Sequence, residues 1–307
     1  FLASRDQAGF ASMSADQRLK EASKLAAEEL IKDADLKYRR VQLSIEKADA
    51  RDNDIEDMVS NGIARLDAVE RTLVNNSDNK SQVQSVESRS NAIKSNTVRQ
   101  LMDTIQSVEP KFFGLFENKE GIILLTRAIF GEQTGNAKID QGAKAWIEAT
   151  TQLREHFNNA GGKIRELSNW ALPQHHSQSK VAKAGGSSDN HLINQKAWVD
   201  FVKPILDRNK YRNDAGGIMS DEELTAVLNN AWVTISSGGI SDMEPGAQGG
   251  GMLANRHAQA REIHFKNADA YLAYQEKFGE KDLWGVMVGH VEQLSKEIAS
   301  LETYGPN

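Results

Sequence analysis

The chain of 307 residues contains no cysteine. This absence excludes disulfide bonds, thiolate metal sites and cysteine nucleophiles. The chain also lacks an apolar run of the roughly 20 residues that a membrane-spanning helix needs. Its most apolar segment, GIILLTRAIF at residues 121–130, is interrupted by Arg127. Positive charge is not in excess either, because the net charge is −6, and this argues against a general nucleic-acid-binding protein.

Glycine and aromatic residues are scarce in the first third of the chain. Before Pro110 there are two glycines, Gly9 and Gly62, and no tryptophan, whereas the rest of the chain holds the other 21 glycines and all five tryptophans. A glycine-poor stretch favours long helices, and a glycine-rich, aromatic stretch favours a compact fold with loops. We therefore predict an elongated helical region at residues 1–110 and a globular helical domain at residues 111–307.

Apolar residues in the first region recur at alternating spacings of three and four, in three blocks. The first block is Ala34, Tyr38, Val41, Ile45 and Ala48, the second spans residues 55–73, and the third spans residues 83–97 and continues less strictly to residue 108. This spacing keeps one apolar face towards a partner helix, as in a coiled coil. It predicts one long or once-broken helix at residues 14–74 and a returning helix at residues 81–109. The turn-rich segment NNSDNK separates them.

The predicted seam is weak, because Gly62, Ser90, Thr97 and several alanines occupy its core positions. A lone hairpin with such a seam is marginally stable in water, so its helices need a partner. Two alternatives stay open: the helices pack against the globular region of the same chain, or they pack against other copies of the chain.

Helix-start and helix-stop residues predict several shorter helices after Pro110. Ser220 and Glu223 form an S-x-x-E capping box. Asn267 starts another helix, which ends at Gly279. Further helices are predicted at residues 143–157 and 281–304, and no segment alternates with a period of two. The predicted fold class is all-α: a long helical hairpin or coiled-coil-like region followed by a compact bundle of shorter helices with Gly-rich loops.

The segment WALPQHHSQSKVAKAGG, residues 170–186, comes nearest to a catalytic fingerprint. His175 and His176 are adjacent, so their side chains diverge and one metal ion is seldom bound by both. Zinc would need further ligands, for which His191 and Asp189 are the candidates, and no H-E-x-x-H spacing is present. We predict no catalytic residue, no metal site and no cofactor. The residues of this segment that we predict to contact a partner or a phosphate are His175, His176, Lys180 and Lys183.

A second polar concentration is NRHAQAREIHFK, residues 255–266, in which only Glu262 opposes the positive charge. If this segment is helical, its histidines and arginines at spacings of four and three share one face. Such a face suits a phosphate group or an acidic partner, and the alternative is a solvated face paired with acidic residues nearby. The candidate contacts are Arg256, His257, Arg261, His264 and Lys266.

The loop FGEQTGN, residues 130–136, places Glu132 between two glycines. A glycosidase acid works with a second carboxylate, and none of obvious role accompanies this one. We therefore predict that Glu132 is a carboxylate of a turn or helix end.

Four segments of the chain carry a resemblance to a known family: FGEQTGN with AKAW, FNNAGGKI with WALPQHH, NRHAQAREIHFKNADAYLAYQEKFG, and the terminal ETYGPN. Together they cover roughly residues 130–307 and resemble a region of the large, multi-segment internal virion or DNA-ejection proteins of tailed, especially short-tailed, bacteriophages. The resemblance implies a segment of a much longer, helix-rich polypeptide that assembles near the portal and helps to deliver the genome. It carries over no catalytic residue.

The residues and the resemblance together predict a structural and assembly role in the virion. The expected partners are other copies of the chain and portal or other virion proteins, with non-specific DNA and the host envelope as further candidates. The chain opens on Phe1 and closes on ETYGPN, so we expect a fragment of a longer polypeptide. The alternative function is a cell-wall or metal-dependent hydrolase that uses His175, His176 and His191.

Overall fold

The structure, a computed structural model, describes residues 13–75, 84–108, 119–164, 172–187, 190–213, 216–238, 253–255, 263–279 and 282–306. These residues form ten α-helices and three short 3-10 helices. The α-helices are α1 (Ala15–Ser60), α2 (Arg65–Leu73), α3 (Val86–Val108), α4 (Lys119–Ile129), α5 (Ala137–Asn159), α6 (Gln178–Ala182), α7 (His191–Val202), α8 (Asp221–Ser236), α9 (Ala268–Phe278) and α10 (Leu283–Tyr304). The 3-10 helices are Lys203–Ile205, Arg208–Lys210 and Leu253–Asn255.

The predicted all-α fold class is confirmed. The described residues form no β-strand, and their extended pairing is limited to two isolated bridges, Leu206 with Phe265 and Arg212 with Ile218. In the same part of the chain, no helix is both long enough and apolar enough to cross a bilayer.

The chain divides into two compact units, each assembled from segments that are distant in sequence. The first unit comprises Phe1–Arg39, Gln178–Pro245 and Arg261–Lys266, and the second comprises Arg40–Ser177, Gly246–Ala260 and Asn267–Asn307. The predicted boundary between residues 110 and 111 lies outside the described residues, and the division into an elongated and a globular part stays a prediction.

The core of the second unit is built from α3, α5 and α10, which pack on one another, with α4 against α5 and α9 against α4. Helix α10 buries one continuous face at the predicted spacing, because its apolar residues recur every three or four positions. From α5 come Trp146 and Phe157, both fully buried. The buried face of α10 includes the six predicted apolar residues Leu283, Met287, Val291, Leu294, Ile298 and Leu301.

In the first unit, α6, α7 and α8 pack against one another. Helix α8 buries Leu224, Leu228 and Trp232, which lie four residues apart and so share one face. The Trp232 indole N–H donates a hydrogen bond to the Val181 carbonyl at 3.0 Å, which satisfies its polar atom inside the core. Trp198 of α7 is also fully buried.

The predicted helix starts at Ser220 and Asn267 are confirmed. Ser220 Oγ accepts from the Glu223 backbone N–H at 3.2 Å, and the Glu223 carboxylate accepts from the Ser220 N–H at 2.6 Å. Asn267 Oδ1 accepts from the Ala270 N–H at 2.9 Å, and α9 ends at Gly279 as predicted. Helix α5 starts earlier than its apolar pattern predicts, because Asn136 caps a polar first turn.

Helices α1 and α2 confirm a once-broken helix over residues 14–74. The break lies at Gly62, whose φ of 85° is in the left-handed region that glycine adopts without strain. Ile63 and Ala68, beyond the break, share a small apolar cluster with Ile55 and Met58. The continuous seam predicted through Gly62 is therefore wrong. The later members of that block, Leu66, Val69 and Leu73, are exposed.

The third apolar block forms α3, and it packs within the chain against α5 and α10. Val86, Thr97 and Leu101 are buried there. For this block, packing in the same chain is the alternative that the structure adopts. Residues 76–83, which include most of the predicted NNSDNK turn, lie outside the described residues.

Candidate functional site

Helix α1 carries an apolar face that is exposed except at Ala48, which is half-buried. We call it the α1 stripe and define it by seven residues spaced four and three apart: Ala27, Ile31, Ala34, Tyr38, Val41, Ile45 and Ala48. Its four large side chains have exposed fractions of 62% (Ile31), 70% (Tyr38), 49% (Val41) and 54% (Ile45). Contiguous exposed apolar surface of this kind is typical of an interaction site.

The opposite face of α1 is the one that packs. Arg40 lies two residues after Tyr38, about 160° around a helix of 3.6 residues per turn, and only 6% of it is exposed. Its Nε donates to the Gly161 carbonyl at 2.7 Å, and its Nη2 donates to the Ala254 carbonyl at 3.1 Å. These bonds hold the packed face of α1 at Arg40, while Val41 and Ile45 in the same unit stay exposed.

Two members of the α1 stripe, Ala27 and Ile31, lie outside the predicted first block. Their signal is present in the sequence, since they continue the four-and-three spacing back from Ala34. The next two positions in that direction are Lys24 and Lys20, which end the stripe with charge.

His176 is held by contacts inside the second unit. Its Nδ1 lies 2.8 Å from the hydroxyl of Tyr274, and the two rings meet edge to face with centroids 5.5 Å apart. Tyr274 is fully buried. The next residue, Ser177, donates its backbone N–H to the Phe278 carbonyl at 2.8 Å. These contacts attach the histidine loop to α9 and support a structural role for His176.

The other zinc candidates are placed differently. His191 begins α7 in the first unit, where its ring lies edge-on to Trp232 at 6.2 Å between centroids. His175 is half-buried, and Asp189 lies outside the described residues. Within the described ranges, no group of three or more His, Asp or Glu side chains could hold a metal ion.

Of the basic segment, the structure describes Asn255 and residues 263–266. Residues 263–266 are not helical, so a helical face does not reach His264. The His264 backbone N–H donates to the Tyr211 hydroxyl at 3.0 Å, and the two rings lie edge to face at 5.7 Å. Lys266 is exposed, and its Nζ donates to the Pro204 carbonyl at 3.0 Å. The predicted contacts outside the described residues are Arg256, His257 and Arg261.

Lys180 and Lys183 are both exposed, in α6 and in the turn after it.

The first unit also holds a charged cluster at the start of α8 that the sequence pattern did not indicate. The Asp221 carboxylate lies 3.0 Å from Lys203 Nζ and 3.1 Å from Arg208 Nη2. The hydrogen bond from Lys203, followed by its charge, lowers the pKa of Asp221. The cluster connects the first turn of α8 to the 3-10 helices Lys203–Ile205 and Arg208–Lys210.

Glu302 is the centre of an ionic network in the second unit. One of its carboxylate oxygens lies 2.7 Å from His156 Nε2, and the other lies 3.5 Å from Arg89 Nη1. The hydrogen bond from His156 is the largest cause that lowers the pKa of Glu302, and the positive charge of Arg89 lowers it further. The network joins α3, α5 and α10. Its members are 146 and 213 residues apart in the chain, so no local pattern predicts it.

The contacts of Glu132 are those of a helix end, as predicted. Its backbone N–H donates to the Arg127 carbonyl at 2.9 Å just after α4, and its exposed carboxylate lies 3.9 Å from the Arg127 guanidinium. Arg127 pairs more closely with Asp269, at 2.9 Å. Glu132 thus closes the last turn of α4.

Among these features, the α1 stripe is the one that exposes apolar side chains which a partner helix would bury. An exposed apolar face at coiled-coil spacing is satisfied by a second helix. No protein-family model, curated protein or solved structure matches this chain.

Proposed function

We propose that this chain is a structural and assembly segment of an internal virion, or DNA-ejection, protein of a tailed bacteriophage. It acts through self-association and through contacts with the portal and tail during genome delivery. The observation that carries the self-association is the exposed α1 stripe. The phage assignment is supported by the resemblance of residues 130–307 to that family.

The α1 stripe provides enough apolar surface for a reversible association. Fully burying one Ile, Val or aromatic side chain stabilises by about 1.5–3 kcal/mol. Its four large side chains are each about half exposed or more, so pairing recovers roughly 3–6 kcal/mol per copy. This surface supports a modest association, which becomes effective where many copies are held close together, as in the proposed virion.

Sedimentation velocity over a range of micromolar concentrations tests the self-association. We expect the sedimentation coefficient of the full chain to rise with concentration. A chain that sediments as a monomer at every concentration contradicts the proposal.

A matched pair of variants shows whether the α1 stripe is responsible. Ile45→Lys places a charge in the stripe, and Glu46→Lys places the same charge one residue further on, outside it. Both positions are exposed in the single chain, so both variants keep the helical circular dichroism of the wild type. Only Ile45→Lys is expected to shift the sedimentation towards the monomer; an equal response of the two variants would contradict a role for the stripe.

The gene that encodes the chain tests the phage assignment separately. A reading frame of thousands of residues beside portal and tail genes supports it. A short frame without such neighbours contradicts it and leaves the self-association to be judged by sedimentation.

A further inference from the structure

We propose that the α1 stripes of two copies pair as a parallel, in-register, two-stranded coiled coil. This pairing rests on the self-association proposed above. It specifies that the α1 stripe binds the α1 stripe of a second copy, and it specifies the orientation and register of the two helices. It follows from three features of α1: which heptad positions are apolar, where the apolar face stops, and how charge is distributed along its two flanks.

The α1 stripe fills the two core positions of three successive heptads. Ile31, Tyr38 and Ile45 occupy the a positions, and the d positions are Ala27, Ala34, Val41 and Ala48. Two of the three a residues, Ile31 and Ile45, are β-branched, which is typical of parallel two-stranded coiled coils. The small residues at most d positions let two helices approach closely there.

The stripe has defined ends. Towards the N terminus the next core positions carry Lys24 and Lys20, and towards the C terminus the next a position carries Asp52. The d position after that is Ile55, which is 6% exposed and already packed in a cluster with Met58. Pairing is therefore confined to residues 27–48, about 32 Å of helix.

The flanks of the stripe bring no like charges together when two copies run parallel. Within residues 27–48 the e positions carry Glu28, Asp35 and Gln42, and the g positions carry Leu30, Lys37 and Ser44. In a parallel pair each g residue faces the e residue of the next heptad of the other copy, so Leu30 meets Asp35 and Lys37 meets Gln42. In an antiparallel pair e faces e and g faces g, which brings acidic residues together and is destabilising. This pattern favours the parallel over the antiparallel pairing of two copies.

Disulfide trapping tests the register, and the absence of native cysteine makes it direct. Val41→Cys places a thiol at a d position, beside its own copy in a parallel pair and within disulfide reach. Glu46→Cys is the control, because it is exposed but points away from the seam. Under mild oxidation we expect roughly tenfold or more disulfide-linked dimer from Val41→Cys than from Glu46→Cys, because a paired thiol experiences a millimolar effective concentration.

A mixture of two variants tests the orientation. Ala34→Cys and Val41→Cys chains, labelled to differ in mass, each form a disulfide with their own kind in a parallel in-register pair. Cysteines seven residues apart are about 10 Å apart along the axis and do not reach each other. A predominance of the mixed 34–41 product overturns the parallel arrangement.

The outcomes separate this pairing from the proposed function. Linked dimers from Val41→Cys alone support the pairing. A chain that sediments as an oligomer, yet gives no more linked dimer from Val41→Cys than from Glu46→Cys, overturns the pairing and leaves the self-association standing. A chain that is monomeric throughout overturns both.

Discussion

Single residues decide which face of a helix is buried, and Arg40 is the clearest case. A charged residue is an unexpected member of a core, yet Arg40 is buried while its apolar neighbours Tyr38 and Val41 are exposed. The guanidinium is accommodated because two backbone carbonyls, on Gly161 and Ala254, accept its hydrogen bonds. A buried charge of this kind is tolerated only where such partners exist.

The ionic network around Glu302 makes the second unit sensitive to acid. The pKa of Glu302 is lowered in the folded chain below its usual value of 4.5, chiefly by the hydrogen bond from His156. A lowered pKa contributes stability that is fully present above pH 4.5 and is lost as the pH falls towards the folded pKa. We expect Glu302→Gln to destabilise the unit at neutral pH, with a difference from the wild type that shrinks on acidification below pH 4.5.

Urea unfolding at a series of pH values measures this difference. Glu292→Gln is the matched control on the same helix, because its pair with Lys94 is exposed and worth little. A difference between the wild type and Glu302→Gln that stays constant from neutral pH to well below 4.5 would show that the carboxylate charge is not the stabilising feature.

At the scale of single residues, sequence reasoning succeeded where the determinant is local. The turn role of Glu132 and the caps of Ser220 and Asn267 depend on residues within a few positions. The rotation of α1 does not depend on residues nearby in the sequence, because the carbonyls that bind Arg40 lie 121 and 214 residues away in the chain. The partners of Arg40 could not be read from the chain, and the buried face of α1 was therefore not predictable.

Two glycines at helix ends illustrate how elements are terminated. Gly62 ends α1 and Gly161 follows α5, and both have a positive φ, of 85° and 101°. The space around Gly62 is open, whereas a Cβ at Gly161 would lie 2.8 Å from Cβ and 2.9 Å from Cγ of Pro306. Gly62 is needed only because its backbone has a positive φ. Gly161 is needed for its positive φ and also because a side chain would clash with Pro306.

Replacing each glycine by alanine separates these two demands. Gly62→Ala is expected to lower the free energy of unfolding by about 1–2 kcal/mol through left-handed backbone strain. Gly161→Ala carries the same strain and adds a clash, so we expect it to cost roughly 1–3 kcal/mol more. Both glycines belong to the second unit, so urea unfolding of that unit compares them directly. Equal costs would mean that Pro306 gives way without penalty.

The sequence predicted where helices form, but it did not predict which elements they pack against. The apolar period and the caps indicate α3, α8, α9 and α10 within about five residues of their ends, and they indicate the start of α1 but not its end at Ser60. Yet two blocks with the same spacing have different surroundings. The block in α3 packs against α5 and α10, while the block in α1 is exposed. Spacing reports that a face is apolar, and only the fold decides what covers it.

For the whole molecule, the fold class was predictable and the composition of the units was not. Each unit is assembled from segments separated by long stretches of chain. In the first unit, for example, the backbone N–H of Lys266 donates to the Ile205 carbonyl at 3.1 Å. Such pairings depend on tertiary contacts that leave no periodic trace in the sequence. The exposed α1 stripe is likewise a property of the folded chain, and it links fold to proposed function.

Self-association through the α1 stripe makes the thermal stability of the chain depend on its concentration. Association that favours the folded chain stabilises it by mass action, and a tenfold rise in concentration is worth up to about 1.4 kcal/mol per mole of dimer. We expect the Tm of the wild type and of Glu46→Lys to rise by about 1 °C per tenfold increase in concentration, because the unfolding entropy of both chains of the dimer enters the shift. The Tm of Ile45→Lys is expected to stay constant, because a lysine in the α1 stripe would have to be buried on pairing. Differential scanning calorimetry at several protein concentrations measures these Tm values. More than half of each of Ile31, Tyr38 and Ile45 is exposed in the single chain. A wild-type Tm that does not change with concentration would argue against the pairing of these exposed side chains.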